Sequence, residues 1–217
     1  MQSEATTTET AQGAETLYDR FAHLYDLTFK FNRYGRSIER YFRTHPLPLS
    51  SGAKILDAGC GTGLLTLALL NVLERPAHVT AIDLSNSSLH TARRAVRKTD
   101  ARLKHRIVFA QANVLSLPFA DETFEFVITS GALEYVPLQQ GFSELARVIA
   151  PGGYLFHLPV RPSFVSKILE LLFRFKTHPP NEVIKNTRRH FRIIDEHHFA
   201  PNEPIGWTKL ALLSQKP

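Results

Sequence analysis

A cluster of glycines in the first third of the chain is the feature most directly tied to chemistry. Gly59, Gly61 and Gly63 lie in the stretch KILDAGCGTGLLTLALL, between a short apolar run and a longer one with helical spacing. Glycine lets a ligand approach the backbone where a Cβ would block it, and the first N–H groups of a helix can bind that ligand. The stretch therefore predicts a strand, a turn and a helix that form a nucleotide-binding element.

The spacing and charge of this glycine turn distinguish between classes of ligand. The dinucleotide fingerprint G-x-G-x-x-G needs a third glycine at the position of Leu64, so a NAD-binding turn is not indicated. Asp57, two residues before the first glycine, would repel a pyrophosphate and attract a cation. S-adenosylmethionine (SAM) fits this charge, because it carries a sulfonium and an ammonium group and no phosphate.

The elements that must position the glycine turn alternate between strands and helices. Helices are predicted in LLTLALLNVL, in SLHTARRAVRK with Ser85 as a plausible N-cap, around GFSELARVI and in SFVSKILELLFRF. The predicted strands are KILDAG, HVTAIDL, RIVFAQA, FEFVITS, YLFHLPV, HFRIIDEHHF and GWTKLALLSQ. Such an alternation favours an α/β fold, with a parallel sheet covered by helices on both faces.

Five blocks of the sequence resemble the class I SAM-dependent methyltransferase family, in the family's order. LDAGCGTG looks like its motif I, and AIDLS places Asp83 at the end of the second strand, 20 residues after Gly63. ANVLSLPFADETFEFVITSGALEYV and LARVIAPGGYLFHL are similar to later blocks, and YDRFAHLYD resembles the N-terminal signature of the quinone C-methyltransferase-like branch. The resemblance implies a Rossmann-like, doubly wound sheet of seven strands, mostly parallel with an antiparallel last strand.

The resemblance also implies which residues bind the cofactor SAM. Asp83 would accept the ribose hydroxyls, and Asn113 stands where the family commonly has Asp beside the adenine. A side-chain amide can still accept from the adenine amino group, so we expect binding to be kept but weakened. The implied cofactor-binding residues are Asp57, Gly59, Cys60, Gly61, Thr62, Gly63, Asp83, Leu84, Asn113, Val114, Ser130, Gly131 and Leu133.

Candidate catalytic residues follow from their position near the strand ends. Glu134 and Tyr135 come directly after the fourth strand, at the edge where ligands bind in such sheets, and His157 lies in the fifth strand. Tyr135 and His157 are equally compatible with a packing role. Methyl transfer needs mainly alignment of donor and acceptor and exclusion of water. No metal site is predicted, because the pair His197–His198 lacks regularly spaced partners.

The residues after the fourth strand disfavour several acceptor classes. Amino methylation of nucleic-acid bases typically uses a [DN]-PP-[FY] motif where this chain has SGAL. Methylation of a base at C5 needs a cysteine at this place, but the single cysteine, Cys60, lies in the glycine turn. The metal-dependent catechol type has a carboxylate where Ser130 stands, and arginine methylation uses two glutamates where only Glu134 is found. A small-molecule or lipid acceptor is favoured, and nucleic acid is disfavoured as a partner.

The segment SFVSKILELLFRF indicates an apolar acceptor, quinone-like or lipid-like. Its polar residues form one helical stripe at Ser163, Lys167, Glu170 and Arg174, and the rest of the helix is apolar. The family builds its acceptor site from this region and the N-terminal helix, which implies as substrate-binding residues Tyr18, Phe21, Tyr25, Leu172 and Phe175. Flanking basic residues would also permit peripheral contact with an anionic membrane. The alternative is an ordinary helix packed on the sheet.

Length and composition fit one domain. The chain has 217 residues, 43% of them hydrophobic, and Cys60 is the single cysteine, which excludes an intrachain disulfide. Residues 1–16 are polar and predict a disordered tail without an export signal, and residues 17–217 a single domain. Within it, residues 17–45 would be a helical cover and residues 161–189 an acceptor-side insertion. We expect a cytoplasmic protein that could also contact a membrane from its surface. The sequence does not indicate an oligomeric state.

The function predicted from the sequence is SAM-dependent methylation of a small-molecule acceptor. An alternative from another class is an inactive SAM-fold module that acts as a scaffold or regulator of a partner protein. The intact glycine turn and the acids Asp57 and Asp83 argue against it, because a module freed from cofactor binding need not keep them.

Overall fold

The predicted strands join in one seven-stranded sheet. The computed structural model describes residues 34–173, 175–200 and 202–217, and the strand order is β3–β2–β1–β4–β5–β7–β6. The strands are β1 Ala53–Ala58, β2 Ala77–Asp83, β3 Arg106–Gln111, β4 Phe124–Ser130, β5 Ile149–Leu158, β6 Arg192–His197 and β7 Ala211–Gln215.

The direction of the strands confirms the expected fold class. β1 pairs in parallel with β2 and β4, β2 with β3, and β4 with β5. β7 runs antiparallel to both of its neighbours, β5 and β6. The chain order reverses between β1 and β4, and ligands bind in such sheets outside the carboxyl ends of the strands at that reversal. The glycine turn leaves β1 at this end of the sheet.

Helices cover both faces of the sheet in the described part of the chain. They are α1 Tyr34–Thr44, α2 Leu64–Leu70, α3 Asn86–Arg97, α4 Leu138–Val148, α5 Phe164–Phe173 and α6 Pro180–Arg188. The predicted cap is confirmed, since the Ser85 side chain accepts from the backbone N–H of Ser88 at the start of α3. None of the helices in these described ranges is long and apolar enough to cross a membrane.

An aromatic cluster fixes α1 on one face of the sheet. The Phe42 ring lies 4.6 Å from the Phe156 ring of β5 and 6.1 Å from the Phe126 ring of β4, measured between centroids. Ile38, one turn earlier in α1, is completely buried. Because the helix is held along its length, its first residue, Tyr34, comes to the carboxyl end of β4.

The helix α5 does not pack as an ordinary core helix. Phe164, Ile168, Leu171 and Leu172 are 81%, 48%, 84% and 46% exposed. The buried side includes Ser166, whose backbone N–H donates to the Ser163 hydroxyl at the start of the helix. The apolar face predicted from the sequence therefore points away from the sheet, which does not fit the alternative of an ordinary packed helix.

The N-terminal predictions fall mainly outside the described residues. The tail 1–16, the first part of the helical cover expected over residues 17–45, and the proposed acceptor residues Tyr18, Phe21 and Tyr25 all precede residue 34. The helix α1 falls in the described part of that cover.

We expect Phe42→Ala to lower the free energy of unfolding by about 3–5 kcal/mol, because it removes a buried ring that contacts two strands. Urea denaturation of the two proteins measures the difference. Leu171→Ala is the matched control on an exposed helix position and should change stability by about 0.5 kcal/mol or less. A loss below about 1 kcal/mol for Phe42→Ala would contradict the packing of α1 described here.

Candidate active site

The glycine turn has a backbone shape that only glycine adopts easily. Gly59, Gly61 and Gly63 have φ angles of 77°, 51° and 88°, in the left-handed region. A Cβ on Gly59 would lie 2.3 Å from the Cβ of Ala132, and one on Gly63 would lie 2.9 Å from the Cβ of Ala92. The turn is thus fitted tightly between the loop after β4 and the helix α3.

Hydrogen bonds from the turn to β2 fix its position. The backbone N–H groups of Gly59 and Cys60 both donate to the Ile82 carbonyl, at 2.9 and 2.8 Å. The Cys60 side chain is buried, and burial, followed by the charges of Asp57 and Asp83, raises the pKa of its thiol. Because a protonated thiol is a poor nucleophile, Cys60 fits the role of a small turn residue.

Asp57 is a buried carboxylate with an unused acceptor. Its side chain is completely buried at the end of β1, and its Oδ2 accepts from the Thr66 hydroxyl of α2. Its Oδ1 has no hydrogen-bond partner within the described residues. Burial raises the pKa of Asp57 to about 7, with a smaller contribution from the charge of Asp83. A cation or N–H donor at the turn would satisfy this oxygen and favour ionisation.

Asp83 links the glycine turn to the start of α3. Its Oδ2 accepts from the Gly61 N–H at 2.8 Å, and its Oδ1 accepts from the Ser85 N–H at 2.9 Å. Burial raises the pKa of Asp83, while hydrogen bonds from the Ser85 and Gly61 backbone act in the opposite direction. Each carboxylate oxygen has two lone pairs, so both can still accept from a pair of ligand hydroxyls.

Leu84, Asn113 and Val114 lie after the neighbouring ends of β2 and β3. Leu84 is 65% exposed and Val114 is buried. Asn113 is exposed, and its Oδ1 accepts from the Leu115 N–H at 2.9 Å, which leaves one lone pair on that oxygen. The three residues form a partly apolar edge beside Asp83.

The end of β4 brings the remaining predicted residues next to the turn. Gly131 has a φ of 77°, and its neighbour Ser130 shares a hydrogen bond of 3.1 Å with the Tyr34 hydroxyl. Leu133 is completely buried, and a Cβ on Gly141 of α4 would lie 2.7 Å from its Cδ2. Leu133 therefore packs its side chain toward α4.

The three candidate catalytic residues have different environments. Glu134 is buried, and its Oε1 accepts from the Val160 N–H after β5, whereas Tyr135 is 49% exposed. His157 is 1% exposed and packs edge-on against Phe142, with 5.4 Å between ring centroids. Burial, and next the charge of Lys209, lowers the pKa of His157 to about 3. His157 is thus a neutral histidine inside the packed face of the sheet.

Two residues that sequence reasoning missed lie at the same strand ends. Tyr34 reaches Ser130 from α1, as described above. Lys209, just before β7, is 2% exposed, and its Nζ lies 3.5 Å from the place that a Cβ on Gly131 would occupy. A lysine inside the apolar run GWTKLALL was a signal for Lys209, whereas the sequence around Tyr34 has no comparable signal.

The chain segment after α5 lies against the segment after β4. The Lys176 N–H donates to the Glu134 carbonyl at 3.1 Å, and the Phe175 and Tyr135 rings are 5.8 Å apart. Leu172, in the last turn of α5, is 46% exposed. Phe175 is therefore brought to the candidate site, and α5 is tied to it through this short connection.

Comparison with known proteins identifies relatives of this chain. Residues 55–153 match a family model described as a methyltransferase domain. The chain is 31% identical over 192 residues to the demethylmenaquinone methyltransferase of Lactiplantibacillus plantarum, covering 81% of this chain and 79% of that protein. It is 34% identical over 168 residues to the demethylmenaquinone methyltransferase of Corynebacterium urealyticum, covering 73% and 66%.

A solved structure shares the fold at lower sequence identity. The geranyl diphosphate C-methyltransferase from Streptomyces coelicolor superposes with a TM-score of 0.66 at 15% identity, covering 82% of this chain and 75% of that one.

The buried carboxyl group of Asp57 predicts a specific dependence of stability on pH. Its pKa is about 7 in the folded protein against an ordinary 3.8, so between these values only the folded protein keeps the proton. The free energy of unfolding of the ligand-free wild type should then fall, relative to Asp57→Asn, as the pH rises from about 4 to about 7. The slope should be at most about 1.4 kcal/mol per pH unit. Urea titrations across this range measure it, and parallel curves for the two proteins would contradict the burial of an ionisable Asp57.

Proposed function

Because the chain belongs to the class I SAM-dependent methyltransferase family, we propose that its acceptor is a quinone-like molecule. The similarity to demethylmenaquinone methyltransferases supports this acceptor class. One observation carries the proposal. An intact glycine turn with the acids Asp57 and Asp83 lies at the same end of the sheet as the aromatic side chains of Tyr135 and Phe175. An inactive scaffold is disfavoured, because a buried and half-satisfied Asp57 is costly unless a ligand uses it.

The cofactor would be held by groups whose present geometry leaves acceptors free. The unpartnered Oδ1 of Asp57 suits the ammonium group of SAM, and the carboxylate of Asp83 suits the ribose hydroxyls. The turn residues Gly59 to Gly63 would hold the methionine part, since a ligand can approach the backbone of a glycine-rich turn closely. When bound, SAM supplies a methyl group on a sulfonium, which is a good leaving group.

The base of the cofactor would lie against the edge formed by Leu84, Asn113 and Val114. Leu84 offers exposed apolar surface to an adenine ring, and the free lone pair of the Asn113 amide oxygen can accept from its amino group. An aspartate at position 113 would accept more strongly, so this contact is the weak point of the proposed cofactor site.

The acceptor would enter beside Gly131, between the end of β4 and the segment after α5. Tyr135 and Phe175 provide an aromatic wall there, and Ser130 and Tyr34 provide hydroxyl groups. Residues 161–189 would then act as the acceptor-side insertion of one domain that spans residues 17–217. The role of this wall is to orient the acceptor and exclude water, which is where most of the rate gain for such a displacement arises.

The exposed apolar face of α5 supports contact with a membrane surface. Four large apolar side chains of this helix are 46–84% exposed, and basic residues flank them at Arg161, Lys167 and Lys176. A helix with this combination lies in the interface of an anionic membrane with its apolar face inserted. An acceptor with a lipid tail could pass from that membrane to the site through the short connection after α5.

A transfer assay with labelled SAM tests the acceptor class. The protein is incubated with anionic vesicles that contain a reduced naphthoquinone carrying a prenyl tail, and the lipid extract is analysed for labelled product. We expect a product with one added methyl group. Labelled product from another class of small molecule, with none from the quinols, would contradict the proposal for the acceptor while leaving the family assignment intact.

We expect Asp83→Ala to weaken the binding of S-adenosylhomocysteine by about 1.5–3 kcal/mol, because charge-assisted hydrogen bonds to the ribose are lost. Calorimetry with SAM, S-adenosylhomocysteine and NAD measures affinity and selectivity together. Asp121→Ala removes an exposed carboxylate paired with Arg147 and serves as the control with unchanged affinity. An unchanged dissociation constant for Asp83→Ala, or binding of NAD alone, would show that Asp83 does not bind the ribose of SAM.

We expect Ile168→Ser with Leu172→Ser to reduce binding to anionic vesicles about tenfold, because two half-exposed apolar side chains no longer enter the bilayer. Vesicle co-sedimentation measures the binding, and S-adenosylhomocysteine affinity should be unchanged. Val108→Ser, on the edge strand β3 and 48% exposed, is the matched control. Equal binding of wild type and the double variant, or loss of cofactor affinity in it, would contradict a membrane-facing role of α5.

A further inference from the structure

A buried lysine beneath the end of β4 has more donors than partners. Lys209 is 2% exposed, and its Nζ donates to the Leu158 carbonyl at 3.2 Å. An ammonium group has three N–H donors, and within the described residues this carbonyl is the one acceptor bonded to it. Burying an ammonium is costly unless it is paired and hydrogen-bonded. The cost is explained if a ligand supplies the missing acceptor.

Glu134 is a second buried group with unused capacity. Its Oε1 accepts from the Val160 N–H, and its Oε2 is buried without a hydrogen-bond partner in the described residues. Its negative charge raises the pKa of Lys209, although burial has the larger, opposite effect. The two groups therefore act on each other electrostatically, yet among the described ion pairs they are not in direct contact. Each group therefore keeps hydrogen-bonding capacity that the other does not use.

The surroundings of this pair point toward the acceptor side of the proposed site. Gly131 leaves the Lys209 Nζ close to the end of β4, where a Cβ would come within 3.5 Å of it. The charge of Glu134 is also felt by Tyr34, whose pKa is raised mainly by burial and which bonds to Ser130. His157 is also near enough for the charge of Lys209 to contribute to its lowered pKa, and it is packed in the sheet. Lys209 thus places a buried amino group at the end of β4.

We propose that Lys209 and Glu134 bind an acceptor hydroxyl group next to the carbon that receives the methyl group. The O–H bond of the acceptor breaks, its proton passes to Oε2 of Glu134, and the oxygen keeps the electron pair as an oxyanion. An N–H of Lys209 donates to that oxyanion. The net charge of the buried group is unchanged, because the oxyanion replaces the charge that Glu134 loses. The proposal rests on the proposed function, since a quinol has hydroxyl groups beside its ring carbons.

Binding of two matched aromatic probes tests this role without turnover. Naphthol carries an ionisable hydroxyl group, and its methyl ether does not. Both are titrated into the protein saturated with S-adenosylhomocysteine near neutral pH, and absorbance reports the ionised form of naphthol. We expect the wild type to bind naphthol more tightly than the ether and to show the naphtholate spectrum. Lys209→Met should lose about tenfold or more in naphthol affinity, with ether affinity unchanged.

Further variants make the outcome decisive. Glu134→Gln should still bind naphthol but without the naphtholate spectrum, because the proton acceptor is gone. Lys216→Met removes another partly buried lysine, which bonds to the Ala146 and Ile149 carbonyls at the opposite end of the sheet, and should bind both probes as the wild type does.

Equal affinity of the wild type for naphthol and its ether would overturn the proposal, even if Lys209→Met fails to fold. A naphtholate spectrum that survives in Lys209→Met and Glu134→Gln would also overturn it. Failure of the proposed function has a different signature, which is a wild type that binds S-adenosylhomocysteine but forms no methylated quinol in the transfer assay.

Discussion

The placement of the glycine turn against β2 is the constraint on which the rest of the site depends. Two N–H groups of the turn donate to the Ile82 carbonyl, and a third donates to the Asp83 carboxylate. These bonds join the carboxyl ends of β1 and β2 into one unit. The loop after β4 can lie against the turn only because Gly59 has no Cβ to meet Ala132. The acids at the two strand ends are thereby held ready before a ligand arrives, which lowers the entropic cost of binding.

Ionisable side chains are buried on both sides of the site, carboxyl groups on the cofactor side and a lysine on the acceptor side. On the cofactor side, burial raises the pKa values of the Asp57 and Asp83 carboxyl groups. On the acceptor side, burial lowers the pKa of Lys209, and the charge of Glu134 opposes this effect without a direct ion pair among the described residues. In a low-dielectric site such unpaired groups bind complementary ligands strongly, because the protein has already met the cost of desolvation during folding. A cationic cofactor and an acceptor that becomes anionic suit this arrangement.

The helix α5 exposes apolar side chains that an ordinary packed helix would bury. Its apolar side chains face outward, so the hydrophobic effect favours binding to another apolar surface rather than folding. The Lys176 N–H and the Phe175 ring connect the segment after this helix to Glu134 and Tyr135. The exposed surface of α5 is therefore joined to the proposed site by the residues that directly follow the helix.

The sequence by itself determined the glycine turn, the two acids, the strand sequence and the helix cap at Ser85, because these depend on neighbours within a few residues. Its spacing also predicted the apolar stripe of α5, but not the side on which that stripe lies. Tertiary structure decided the rest. Lys209 reaches Gly131 only because β7 inserts beside β5, and Tyr34 reaches Ser130 only because α1 docks through Phe42. His157, a plausible base from its position near a strand end, is neutral and enclosed by α4. Contacts between residues far apart in the chain set the burial, and burial sets the charge that a side chain can carry.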